Sequence, residues 1–392
     1  MNTQYITPDI FKDIAPIDDC DFSQKISQLV EEPGFEHAIK FVMPEVDYPQ
    51  FIKGLVSIKT KKEFQYSIVS PFLEMLAKKT TSGLSIGGLE NIEKGMNYTF
   101  ITNHRDIVLD ASFLNVMFIC NGLPTTEIAI GDNLLVYDWI SDLVKLNKSF
   151  IVKRNLRLTK ALEAAKQLSA YIHHAINEKH ESVWIAQREG RCKDSNDLTQ
   201  ESLIKMLGLA GDGTLINNLK QINLLPVSIS YEYDPNDYLK AREFLLKRNN
   251  PEYKKSQRDD LFSMETGLLQ FKGFVHFEVG EPINENLEQI PSDADKGQII
   301  KTVCDSIDRM IHKGYKIYPI NYIAYDKLEG ENRFVSNYTL QEVEDFEDYI
   351  ERQLSKVDDI PNVSAEDMQY MRDMMLTMYA NPLKNKLLAD CC

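Results

Sequence analysis

Ile101-Thr102-Asn103-His104-Arg105-Asp106-Ile107-Val108-Leu109-Asp110 closes an apolar run with a histidine and sets carboxylates two and six positions beyond it. Tyr98 to Thr102 reads as a strand, and Ile107 to Asn121 has the length and periodicity of a helix able to cover a sheet face. The histidine therefore falls in the loop between a strand and the helix that follows it. A neutral imidazole acts as a general base when one nitrogen is free to take a proton and an acceptor holds the other. Asp106 and Asp110 are both candidates for that acceptor.

Strand-like runs recur outward from this point. Leu84 to Ile86, Glu127 to Ile130, Phe150 to Val152, Val183 to Ala186, Leu224 to Ser230 and Phe274 to Val279 join Tyr98 to Thr102. Helical stretches at 107–121, 133–146, 159–177 and 200–209 alternate with them, which implies an α/β sheet. In open sheets of this kind ligands sit beyond the carboxyl ends of strands. From Phe22 to Lys79 the apolar residues return every three or four positions, predicting several amphipathic helices. After Asp295 the stripe Ile299, Val303, Ile307 and Ile311 starts a second helical region, with further helices near 342–354 and 365–378 and a loop at Asp358 to Asn362. The expected division is 1–80 helical, 81–290 α/β, and 291–392 helical and packed on the α/β part.

Composition narrows the class. With 392 residues, 43% hydrophobic and 26% charged, the chain is long enough for a large core. Its formal net charge of -15 argues against general nucleic-acid affinity, which needs surplus Lys and Arg. Six scattered cysteines without paired metal spacing predict reduced thiols, and no metal site. No apolar run approaches the roughly 18 residues of a membrane span, so any membrane contact should be peripheral. Met1 to Asp19 does not read as a secretory signal, and a cytoplasmic location at the inner membrane face is expected. Positive charge is concentrated locally: residues 145–167 hold seven Lys or Arg against Glu163 alone.

Three more segments accompany the first: Ser149 to Arg154, Gln187-Arg188-Glu189-Gly190-Arg191, and Leu225 to Glu232. Together the four resemble, in order and spacing, the motif blocks of the glycerolipid acyltransferases, over roughly residues 83 to 235. That family places an aspartate five positions after the histidine; here Leu109 stands there and Asp110 follows. The resemblance implies an α/β fold, a mixed sheet flanked by helices as in glycerol-3-phosphate acyltransferases, with N- and C-terminal helical regions. It implies transfer of a fatty acyl group from acyl carrier protein or coenzyme A to a hydroxyl of glycerol-3-phosphate or 1-acylglycerol-3-phosphate in phospholipid biosynthesis, at a membrane surface and without metal or redox cofactor. His104 would be the base, with Asp110 or Asp106 as its partner. Glu189, Gly190 and Arg191 would serve acceptor binding and catalysis, with Arg188 and Lys193 in reserve. Arg154 and Lys153 would meet phosphate, Asn133 lies in a Gly131-Asp132-Asn133-Leu134 segment that resembles another of the family's motifs, and Pro226 would shape a strand beside the acyl pocket. Rival readings are an acceptor lacking phosphate, such as an acylated amino acid, a catalytically weak lipid-binding member, and a thioesterase.

The remaining candidates read as structural. Met368, Met371, Met374, Met375 and Met378 have the spacing of a core or interface stripe. Cys192 has no histidine near it in sequence. His173 and His174 are consecutive on a helix, so one of them is expected at the surface.

Overall fold

The computed structural model describes residues 5–391 apart from positions 212, 331 and 358; Met1 to Gln4, Asp358 and Cys392 thus lie outside the described residues. Seven strands form one sheet: β1 (Gly83–Gly87), β2 (Thr99–Thr102), β3 (Glu127–Gly131), β4 (Ser149–Val152), β5 (Val183–Ala186), β6 (Leu224–Tyr231) and β7 (Phe274–Val279). Their order is β1-β7-β6-β2-β5-β3-β4. The run from β6 to β4 is parallel throughout, while β7 pairs antiparallel with β6 and parallel with β1, so the sheet is mixed.

This topology decides where chemistry can occur. Five parallel strands share a direction, so β2, β3, β4, β5 and β6 release their carboxyl ends along one edge. The loops after them carry His104, Asn133, Arg154 and Arg188, and β6 itself ends on Tyr231.

Alternation along the strands builds both faces. Ile101, Val183, Ile185 and Leu224 pack into one buried cluster with helices Leu158–Asn177 and Lys296–Lys313. Phe100, Trp184, Leu225 and Val227 face the other side, with helices Ser70–Thr80 and Leu109–Cys120. Period-two burial on both faces is what a sheet covered by helices requires. A separate N-terminal cluster around Phe22, Phe35 and Phe64 meets Trp139 and Leu143 of helix Asp138–Leu146. A C-terminal cluster joins Met371 and Met375 to Tyr238 and Leu245. The methionine stripe is thus core.

Several elements depart from the sequence expectation. The 133–146 stretch is a short turn of 3-10 helix, Asp132–Leu134, followed by helix Asp138–Leu146. Helices Asp237–Asn249 and Gln257–Leu269 lack a clean apolar stripe. In the first, Lys240 and Glu243 are buried by pairing with Asp234 and Lys193, which puts charge on the inward face. The second carries a readable start, the Ser256–Asp259 capping box. His173 and His174 are both buried, each 8% exposed. The segment around Asp9–Phe11 covers the outer side of their helix, with Phe11 5.2 Å from the His174 ring.

Candidate active site

The loop after β2 is wrapped around two carboxylates. Asp106 Oδ1 accepts the backbone N–H groups of Val108 (2.9 Å) and Leu109 (2.8 Å), capping helix Leu109–Cys120, and its Oδ2 accepts from Asn236 Nδ2 at 2.9 Å. Asp110, in the first turn of that helix, points back toward the sheet. Its Oδ2 lies 2.8 Å from His104 Nδ1 and accepts from the backbone N–H of Arg105 (2.7 Å) and Asp106 (3.1 Å). Its Oδ1 accepts from the Tyr231 hydroxyl at 3.0 Å.

The geometry therefore pairs His104 with Asp110 and leaves Asp106 as a helix cap. The turn Ile107–Val108 absorbs the additional residue between histidine and acid. Asp106 is fully buried, and burial together with the neighbouring Asp110 charge raises its carboxyl above the ordinary value. With Nδ1 committed to Asp110, Nε2 is the nitrogen left to exchange a proton. The His104 side chain is 14% exposed and lines a cavity of about 1290 Å³.

Asn103 holds this loop to the sheet. Its side chain donates to Ile229 O (2.9 Å) and accepts from Ile229 N (2.8 Å), extending the β2–β6 ladder one residue past the strand. Trp184, from β5, meets the imidazole edge-on at 5.7 Å between centroids and lines the same cavity.

Arg154 and Asn133 converge over Gly131. A Cβ there would stand 2.5 Å from both Arg154 Nε and Asn133 Oδ1, so only glycine admits them. Those two atoms are buried without hydrogen-bond partners among the described residues. The outer end of the Arg154 guanidinium donates to Glu189 at 3.2 Å. Gly190 has φ of +71°, the left-handed conformation that favours glycine, and turns the chain after Glu189. Arg188, Glu189 and Arg154 all line the cavity.

Other predicted residues lie elsewhere. Lys153 also borders the cavity, but its ammonium is paired with Asp13 and Gln167. Arg191 does not line the cavity; its Nη1 is buried without a partner among the described residues, and its charge bears on Asp106 and Lys240. Lys193 is paired with Glu243 and lowered to about 8 by burial. Pro226 sits third in β6, opposite Ile101, where its carbonyl accepts Gly280 N–H at 2.9 Å. Neither Pro226 nor its strand neighbours line the cavity, because both faces of β6 are already covered. Cys192 is buried and its thiol is pushed up by burial, unlike a nucleophile.

The cavity walls are largely apolar: Trp139 and Leu143, Ala161 and Leu168, Met206 and Leu268 come from four helices. Its volume exceeds the roughly 300–1,000 Å³ usual for small-molecule sites. The site thus joins a histidine held by a buried carboxylate, arginines on the strand loops beside it, and a large apolar space. Tyr231 and Trp184 belong to the site without any local sequence signal for it. Tyr231 is 121 positions from the carboxylate that it serves, and no local pattern links the two.

Residues 83–230 match the family model described as Acyltransferase. The four blocks that resemble the glycerolipid acyltransferases lie within it or at its border. Among solved structures, the 1-acyl-sn-glycerophosphate (LPA) acyltransferase PlsC from Thermotoga maritima is similar at 12% identity and a TM-score of 0.37, over 75% of this chain and 94% of that one. No curated protein sequence matches the chain. Among the described residues, no helix is long and apolar enough to cross a membrane.

Proposed function

We propose that the protein transfers a fatty acyl group from a coenzyme A or acyl-carrier-protein thioester to a hydroxyl of glycerol-3-phosphate or 1-acylglycerol-3-phosphate. The observation that carries this reading is the His104–Asp110 pair opening onto a large apolar cavity beside Arg154 and Arg188. His104 Nε2 takes the hydroxyl proton as the oxygen attacks the thioester carbonyl carbon. The C–S bond then breaks, and the thiolate leaves with the proton held by His104. Asp110 fixes the tautomer and stabilises the imidazolium. Arg188 and Arg154 are the candidate phosphate contacts, and the helices around the cavity would hold acyl chains.

A second reading keeps the chemistry and replaces the acceptor by a lipid hydroxyl without phosphate. Its support is that Arg154 and Lys153 are already paired with carboxylates.

Thiol release from palmitoyl-coenzyme A and from acylated carrier protein, with and without each acceptor, tests both. Release that depends on glycerol-3-phosphate or 1-acylglycerol-3-phosphate and disappears in His104→Ala is the expected result. Acceptor-independent release would identify a thioesterase and overturn the proposal. Acyl transfer only to a phosphate-free lipid, insensitive to Arg154→Ala and Arg188→Ala, would establish the second reading.

A further inference from the structure

Exposed Glu32, His37, Asn155, Glu189 and Glu265 stand at the edge of the cavity, but one part of that edge is apolar. Phe41, Tyr137 and Leu156 line the cavity and are also 47%, 54% and 36% exposed. Beside them, at the head of helix Leu158–Asn177, Leu158 is 92% exposed and Leu162 is 53% exposed. These two leucines are one turn apart, and Ala161 and Ala165 between and beyond them line the cavity. The apolar interior thus continues outward as an uncovered apolar surface. Contiguous exposure of this kind marks an interaction site.

Charge around the patch identifies its partner. Arg157, Lys160 and Lys166 are exposed on the same helix head, with Glu163 as the one acid between them. Among the described residues these three cations have no hydrogen-bond or ion-pair partner. They stand out in a chain of net charge -15. Tyr137, stacked on Trp139 at 8° between ring planes, adds the amphipathic aromatic that favours a membrane–water boundary. A second copy of the chain is the other occupant of this face, and the test reads it as dimerisation.

We propose that this rim is a lipid-docking surface that seats the cavity mouth on an anionic bilayer. Leu158 and Leu162 enter the boundary between head groups and acyl chains, while Arg157, Lys160 and Lys166 meet lipid phosphates. The inference rests on reading the cavity as a site for acyl chains, which a docked mouth would receive without passage through water.

The test is flotation of the full-length protein with vesicles of phosphatidylglycerol and phosphatidylcholine, against phosphatidylcholine alone. Wild type and His104→Ala should bind the anionic vesicles equally, and about 0.5 M salt should weaken both. Leu158→Asp with Leu162→Asp, and Arg157→Glu with Lys160→Glu, should each weaken binding roughly tenfold or more. Both double variants should retain wild-type turnover of a water-soluble short-chain thioester. Unchanged vesicle binding in both variants, absence of wild-type binding to anionic vesicles, or loss of dimerisation in place of loss of binding would each overturn the surface. Because flotation is read on His104→Ala as well, failure of the acyl-transfer reading and failure of docking are separate results.

Discussion

His104 and Arg105 are adjacent in sequence and enter two clusters built from similar parts. His104 pairs with Asp110, which accepts from the Tyr231 hydroxyl; Arg105 pairs with Asp197, which accepts from the Tyr315 hydroxyl. The first cluster opens on the cavity. The second is sealed: Arg105 is 4% exposed, and Nη1 lies 2.6 Å from Asp197 Oδ1 in a two-pronged pair. Burial alone would lower the guanidinium, yet Asp197 carries it well above its ordinary value. A cation that cannot lose its proton is suited to holding a loop in place. A group whose charge can change, with one nitrogen toward a cavity, is suited to moving a proton. The two clusters teach that the cation's titratability and exposure, more than the carboxylate, separate a site for chemistry from a structural clamp.

The comparison breaks most visibly at the histidine. His104→Ala should reduce kcat by about 10²–10⁴-fold while circular dichroism and thermal unfolding stay near wild type. Asp110→Asn should fall in a similar range because the tautomer is no longer held. Asp106→Asn, which alters a helix cap, should act mainly on stability. A larger kcat loss at Asp106 than at Asp110 would remove the proposed pairing.

At the sealed cluster the sign of the outcome reverses. Arg105→Ala leaves Asp197 buried without its cation and should cost about 3–5 kcal/mol in denaturant unfolding. A wild-type melting profile would show that Arg105 is no clamp.

A third buried aspartate sharpens the rule by lacking a cation. Asp237 accepts from Tyr349 (2.6 Å), Tyr379 (2.7 Å) and Gln353 (2.8 Å), and has no ion-pair partner among the described residues. Burial raises its carboxyl from 3.8 to about 6. The folded state therefore keeps a proton that the unfolded state loses, so this group's contribution to stability falls as pH rises through that window and is level above it. Asp237→Asn should abolish about 2–3 kcal/mol of that pH dependence in unfolding experiments run across the window. A variant that keeps the wild-type pH dependence would place the proton elsewhere.

Tyr231→Phe should have the smallest effect. Removing one hydrogen bond to Asp110 should cost about 1.5 kcal/mol, or on the order of tenfold in kcat. An unchanged kcat would mean that the tyrosine only packs.

All seven strands were legible, because Val, Ile, Phe and Trp runs alternate between two buried faces. Helices Asp237–Asn249 and Pro319–Glu329 were less so. The first hides ion-paired Lys240 and Glu243 on its inner face; the second offered Pro319 at its start and Gly330 after its end, end signals in place of a stripe. In the site, the histidine could be read from its place after a strand. Its partner could not, since Asp106 and Asp110 both follow within two turns and only the path of the loop decides between them.

The sequence by itself determined the alternation of strands and helices, the histidine at a strand end and the arginines on later loops, because these depend on local periodicity and residue chemistry. Tertiary structure alone decided that Tyr231 reaches Asp110, that Lys153 is taken by Asp13, and that residues of six helices line one cavity. Those contacts join residues that are distant along the chain, and the strand order that brings them together has no counterpart in local pattern.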